Sequence, residues 1–266
     1  MADLKEITEK MGFIAREAGE FIRKESLKFD ISSKEVKGIN NFVSYVDKKS
    51  EELIVSRLRL LIPEASFKTE EGTAESSAGA KYCWVVDPLD GTTNFMHGLP
   101  PYAVSIGFME DDEYVAGVVY EINLDEMFSA WKGGGAWLNN KPIHVSDASR
   151  LSESLVATGF PYYNFSKMDR YMECFSWFCQ NTHGVRRLGS AATDIVYIAC
   201  GRFEGFYEYG LYPWDIAAAI IILREAGGRV SDFSGNEKSL NGDEIVASTG
   251  KIFPEMLKIV NQFMKS

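Results

Sequence analysis

Apolar residues at Leu4, Ile7, Met11, Ile14, Ala18, Phe21 and Ile22 recur at intervals of three and four, which predicts an amphipathic helix over residues 3 to 28. A second helix is predicted from about Asp47 to Leu61, with Leu53, Ile54, Leu58 and Leu61 inward and Pro63 closing it. The intervening run Lys34-Glu-Val-Lys-Gly-Ile-Asn-Asn41 is polar and without period, so it is expected to be a loop. From Tyr82 the texture changes. Strand-like runs at Tyr82–Val86, Ala103–Glu110, Tyr114–Glu121 and Glu126–Trp131 are separated by short turns, with Asp111-Asp112, the glycines at 133–135 and Asn139-Asn140 as hairpin corners.

After about residue 150 strands and helices alternate. Strands are expected near Leu155 and Val185 and at Gly205–Glu208, Arg229–Ser231 and Ile245–Ala247, with helices at 167–180, 190–200 and 214–226 and from Pro254. The pattern is that of an α+β protein: a hairpin-rich first half, 1–150, and an α/β second half, 151–266. No linker or low-complexity segment divides them, so two halves sharing one interface are expected, with the site between them.

Composition narrows the class. With 45% hydrophobic and 25% charged residues the 266-residue chain is ordinary globular material. Its net charge, 28 − 38 = −10, lacks the basic footprint of a nucleic-acid binder. An acidic chain that handles an anion needs something other than net charge to attract it, which points to a metal. Four cysteines without a C-x-x-C pair read as reduced core thiols, and three histidines cannot build a His-rich zinc site. The N-terminus is acidic where a secretory signal would be basic and then apolar. The longest apolar stretch, Ile216 to Leu223, is far short of the roughly 20 residues of a membrane span. A soluble cytoplasmic protein with neither a membrane nor a nucleic-acid partner is expected.

The chemistry concentrates in Trp84-Val-Val-Asp-Pro-Leu-Asp-Gly-Thr-Thr-Asn-Phe95. A hydrophobic strand leads into Asp87, Pro88 is expected to break its ladder, and Asp90 follows three residues on. Two like charges so close repel unless a cation lies between them, and hard oxygen donors suit Mg²⁺, with the Leu89 carbonyl available as a further donor. Gly91-Thr92-Thr93 offers N–H groups where a helix can start, a cradle for phosphate.

This string resembles the signature of the inositol monophosphatase family, the Mg²⁺-dependent, lithium-sensitive phosphatases related to fructose-1,6-bisphosphatase. A second family signature stands at Trp214-Asp215-Ile-Ala-Ala-Ala219, followed by Glu225-Ala-Gly-Gly228, and the likeness extends through Gly133-Gly-Gly-Ala-Trp137 and Arg186-Arg-Leu-Gly-Ser-Ala191. The resemblance implies an αβαβα layered sugar-phosphatase fold and two or three Mg²⁺ ions held by Glu70, Asp87, Asp90, Asp215 and the carbonyl of Leu89. From the residues alone, Asp215 caps the helix after Pro213. Thr69 precedes Glu70 where the family usually has glycine, and the offset selects Glu70 over Glu71.

The resemblance also makes Thr92 and Asp47 the partners that orient and activate the attacking water. Val43-Ser44-Tyr45-Val46-Asp47 is similar to the family's Val-Thr-x-x-Asp, with Ser44 for Thr, although by itself Asp47 reads as a helix N-cap. Lys37 falls in the loop that carries a weaker metal site in relatives. Gly91 and Thr92 are implied on the phosphate, Gly189, Ser190 and Ala191 on the ring of a polyol, and Glu208 on its hydroxyls. The implied activity is Mg²⁺-dependent hydrolysis of inositol monophosphate, or a similar polyol or sugar phosphate, by direct attack of a metal-activated water, in a homodimer.

Other patterns are weaker. The haloacid dehalogenase motif, Asp-x-Asp-Gly-Thr, has one residue between its aspartates where this chain has two. Related substrates, fructose 1,6-bisphosphate and 3′-phosphoadenosine 5′-phosphate, remain alternatives, as does a metal- or phosphate-binding sensor. The glycines at 133–135 do not make a dinucleotide fingerprint, and Gly250-Lys251 lacks the Ser or Thr of a Walker A loop. His97 reads as a surface residue, and Phe160-Pro-Tyr-Tyr163 as either loop packing or a substrate rim.

Overall fold

The structure, a computed structural model, describes residues 3–30, 35–38, 41–75, 77, 79–238 and 240–265, with the backbone alone for 35–38 and 41–43. The chain opens with α1 (Leu4–Ser26), capped by the Asp3 carboxylate on the N–H groups of Lys5 and Glu6. The segment expected as a loop carries β1 (Glu35–Gly38) and β2 (Asn41–Val43), paired antiparallel. Lys37 has no described side chain. α2 (Tyr45–Leu61) begins two residues earlier than its apolar period indicated, because Ser44 is its N-cap.

Then come β3 (Ser66–Thr69), β4 (Tyr82–Asp90), the short α3 (Thr92–Met96), β5 (Ala103–Glu110), β6 (Glu113–Glu121), β7 (Glu126–Trp131), β8 (Ala136–Leu138) and β9 (Lys141–Ile143). These strands form one seven-stranded sheet in sequence order, antiparallel except for the parallel pair β3–β4. Asp111 and Asp112 both sit at positive φ, as do Asn139 and Asn140, which suits the tight hairpin turns expected there.

The second half supplies β10 (Leu155–Thr158), α4 (Met168–Asn181), β11 (Gly184–Arg186), α5 (Ala191–Ala199), β12 (Gly205–Tyr209), α6 (Pro213–Glu225), β13 (Gly228–Ser231), β14 (Glu244–Thr249) and α7 (Phe253–Met264). Its five strands lie in the order β11-β10-β12-β14-β13, parallel on one side of β12 and antiparallel on the other.

Three hydrophobic cores stack these parts into five layers. α1 and α2 cover one face of the large sheet around Trp84, Phe108 and Tyr120. α5 and α6 fill the space between the two sheets, and α4 and α7 close the far face of the smaller one around Phe178, Tyr207 and Phe253. The αβαβα order is thus the direct consequence of two sheets with three helix pairs to bury.

The middle layer fits because small residues face one another. A Cβ on Gly107 of β5 would lie 2.9 Å from the Ala217 Cβ, and one on Gly117 of β6 would lie 2.6 Å from the Ala218 carbonyl oxygen. The alanine run of α6 therefore rests almost on the sheet backbone, which brings Asp215, at the start of that helix, down to the end of β4.

Candidate active site

One cavity lies where the end of β4, the starts of α5 and α6, and β12 converge. Its walls include Glu70, Asp87, Leu89, Asp90, Gly91, Thr92, Gly189, Ser190, Ala191, Glu208 and Asp215. Asp47 sits behind this wall and reaches it through Thr92, whose Oγ1 is 2.8 Å from Asp47 Oδ1.

The strand does not end at Asp87. β4 pairs with β5 from Tyr82 to Asp90, but Asp87 faces Ser105 while Asp90 faces Ala103, so three steps on one strand match two on the other. Pro88, expected to break the ladder, occupies this bulge, where its missing N–H costs no pairing. The bulge turns both carboxylates to one side. Ser50 of α2 fixes it from below, donating its hydroxyl to the Pro88 carbonyl at 3.1 Å.

Two aspartates expected as helix N-caps hold a different post. Ser44 caps α2 and Asp47 is its third helical residue, accepting from the Ser44 N–H (2.8 Å) and Oγ (2.6 Å) through Oδ2. Tyr212 stands at the N-cap of α6, and Asp215 Oδ2 accepts its N–H at 2.7 Å. A carboxylate at this third position spends one oxygen on the helix start and keeps the other for neighbours. In Asp47 that other oxygen meets Thr92. Asp215 keeps its own for the cavity.

Glu70 follows β3, whose parallel register with β4 sets it beside Asp87. Its loop is pinned by Glu51, a fully buried residue of α2 that accepts from the N–H groups of Glu71 (2.7 Å) and Thr73 (2.8 Å). Asp90 Oδ2 accepts from Ser190 Oγ (2.6 Å) and the Ala192 N–H (2.8 Å), which joins the first sheet to the start of α5.

The electrostatics are those of acids gathered against their mutual repulsion. Burial drives the Asp87 carboxyl well above its ordinary range, and the charges of Glu70, Asp90 and Asp215 add to that. Burial pushes Asp90 up to about 6 against its hydrogen bonds from Ser190 and Ala192. Asp215, half-buried, is raised to about 7 by desolvation and by Asp90. Glu208 rises to about 8 through burial, with Arg187 opposing and Asp215 and Asp90 reinforcing. Asp47 is also raised by burial, against the hydrogen bonds of Ser44 and Thr92.

Among the described residues no three His, Cys, Asp or Glu side chains form a ready-made metal cage. The fit to a cation rests on donor chemistry: four carboxylates and the Leu89 turn line one cavity with oxygen ligands only, and the raised proton affinities of Asp87, Asp90 and Asp215 mark an excess of negative charge that a hard divalent cation would offset.

Sequence reasoning missed several residues here. Ser50 and Glu51 lie on the same helix stripe as Asp47, Ile54 and Leu58, so a stripe that turns from apolar to polar at one end was the available signal. A Cβ on Gly159 would lie 2.1 Å from the Glu208 carboxyl, so any side chain there would have to displace that carboxyl. Arg187, Tyr162 and Asp194 also line the cavity. The aromatic segment at 160–163 reaches it through Phe160, Tyr162 and Tyr163, while His97 is exposed at the end of α3.

The layered fold is that of the solved inositol monophosphatase and SuhB structures. For one of these, the extragenic suppressor protein SuhB from Bartonella henselae, the TM-score is 0.90 at 34% identity, over 96% of this chain and 98% of that one. The family model for the inositol monophosphatase family matches residues 3–265, and the chain belongs to that family. Curated relatives carry two kinds of name. The chain is 40% identical to a "Putative Nus factor SuhB" of Neisseria meningitidis serogroup B, over 93% of this chain and 95% of that protein. It is 39% identical to an "Inositol-1-monophosphatase" of Mesorhizobium japonicum, over 85% of each.

Proposed function

We propose that the protein is a Mg²⁺-dependent phosphomonoesterase acting on inositol monophosphate. The observation that carries this reading is the convergence of Glu70, Asp87, Asp90 and Asp215 from both halves of the chain on one cavity that also contains the Gly91-Thr92 turn. Glu70, Asp87, Asp90, Asp215 and the Leu89 carbonyl would hold two or three Mg²⁺ ions. Bound Mg²⁺ supplies the Lewis acidity that makes water a nucleophile near neutral pH and offsets charge on the leaving oxygen.

The chain's own groups do the rest. Thr92 Oγ1 carries a single proton and donates it to Asp47 Oδ1, which leaves its lone pairs to accept from the attacking water and aim it. Asp47 is buried and anchored twice by Ser44, so this alignment is fixed before substrate arrives. The N–H groups of Gly91 and Thr92 face the phosphate, while Ser190, Ala191 and Glu208 face its alcohol. Water attacks phosphorus directly, and the alcohol leaves without a phosphoenzyme.

The names of the relatives divide, and the complete acidic set favours the phosphatase reading over a metal- or phosphate-binding sensor. A chain of net charge −10 is a poor direct ligand for nucleic acid, so the proposed partner is a small phosphomonoester. Among the described residues no helix is long and apolar enough to cross a membrane. From the family we infer a lithium-sensitive cytoplasmic homodimer, with halves 1–150 and 151–266 meeting at the cavity.

Rapid-quench analysis with phosphorus-labelled inositol 1-phosphate tests the chemistry. The expected result is labelled inorganic phosphate with no labelled protein. A labelled aspartyl phosphate would overturn direct attack. Faster release from fructose 1,6-bisphosphate or 3′-phosphoadenosine 5′-phosphate would move the substrate and keep the mechanism.

A further inference from the structure

Asp194 has no part in the chemistry above, yet it lines the same cavity as Asp90 and Glu208. It projects from the first turn of α5, is 1% exposed, and its Oδ1 has no hydrogen-bond partner. A buried polar atom left unpaired is costly, more so when charged, so such a group asks for a ligand. Glu208 and Asp90 crowd it with like charge, and Arg187 opposes them.

Arg187 is the complement. Burial works against its charge, but Tyr162, Glu208 and Asp194 outweigh that. Among the described residues its guanidinium donates to the Tyr162 phenol (3.2 Å) and to no other side chain, while its plane lies near the rings of Phe160 and Tyr162. Five N–H donors on a fork held this way leave several free to meet a ligand. The alcohol end of the cavity therefore presents two carboxyl groups and a guanidinium together, within electrostatic reach of one another.

That mixture of charges selects a chemistry. A hydroxyl both donates and accepts, so neighbouring hydroxyls can satisfy Asp194, Glu208 and Arg187 together. A second phosphate only accepts when fully ionised and would face two acids, and an apolar group would pair with none. Resting on the phosphomonoesterase reading, we propose that Asp194, backed by Arg187, is a specificity-determining residue that pairs with a hydroxyl of the leaving alcohol.

The test compares inositol 1-phosphate with p-nitrophenyl phosphate, which carries the same phosphate and no alcohol hydroxyls, in the wild type, Asp194→Leu and Asp194→Asn. The leucine variant is expected to raise KM for inositol 1-phosphate roughly 10-fold or more, with kcat little changed and p-nitrophenyl phosphate unaffected. Asparagine, which can still pair with a hydroxyl, recovers most of the loss. The Tm of the leucine variant should equal or exceed the wild type, because an unpaired buried acid has been replaced by an apolar group of similar size.

Equal losses on both esters, a lowered Tm, or an unchanged KM for inositol 1-phosphate would each overturn the inference. A wild type that cleaves neither ester in Mg²⁺ sinks the phosphatase reading separately. Calorimetric binding of the two esters in Ca²⁺ then decides the inference, which fails if the leucine variant binds inositol 1-phosphate as tightly as the wild type.

Discussion

The two ends of the cavity, one proposed to take the phosphate and the other the alcohol, are built by different means. At the phosphate end four acids sit on local backbone devices, the bulge of β4 for Asp87 and Asp90 and the third position of a helix for Asp47 and Asp215, while Glu70 sits in a loop pinned by Glu51. At the alcohol end Gly159, Arg187, Asp194 and Glu208 come from separate elements of the second half, and tertiary packing alone brings them together. The first end is rigid and overcharged. The second is of mixed charge and incompletely paired, which suits orientation at one end and selection at the other.

Breaking the phosphate end should have the largest effect. Asp87→Asn is expected to lower turnover of inositol 1-phosphate by roughly 10²–10³-fold. The same change should raise the Tm of the metal-free protein, since one of four repelling acids is gone. Steady-state assays and thermal melts in chelator check both signs. Gly117→Val comes next, because its side chain would press on the Ala218 carbonyl and lift α6 with Asp215 off the sheet. Urea denaturation should register a loss of about 1–3 kcal/mol, with turnover falling in parallel.

A pH series separates the two ends. Asp90 and Glu208 are raised to about 6 and about 8, so their stabilising contribution is present below the ordinary carboxylate range and is lost as pH rises through those values. The Tm of the metal-free protein should therefore fall between about pH 5 and 8. Mg²⁺ should remove the lower part of that fall, at Asp90, and leave the part at Glu208. The smallest effect is expected for Gly159→Ala, which displaces the Glu208 carboxyl. It should raise KM for inositol 1-phosphate roughly 10-fold with kcat nearly unchanged.

Legibility in the sequence follows the same division. The helices and hairpins with strong period were predictable within a few residues, since burial of one face dictates both the spacing and the fold. The β1–β2 pair was not, because its four- and three-residue strands carry no apolar alternation. Asp87, Asp90 and Asp215 stand in two short motifs and were legible together, while Glu70 and Asp47 were reached only through the shorter likenesses at Thr69-Glu70-Glu71 and Val43–Asp47. Their local posts were not: Asp47 and Asp215 read as N-caps until Ser44 and Tyr212 took that position. Pro88 read as a strand end because a bulge is visible only in the register with β5. Arg187 and Asp194 escaped notice because a lone charge beside a helix start resembles solvated surface until the opposite wall is in place.

The most direct test is the rate of phosphate release from inositol 1-phosphate as a function of Mg²⁺ concentration, starting from chelated protein. A rate that is absent in chelator and rises to saturation with Mg²⁺ is the predicted result. Release at full rate in chelator, or none at any Mg²⁺ concentration from folded protein, would contradict the assignment of the four carboxylates.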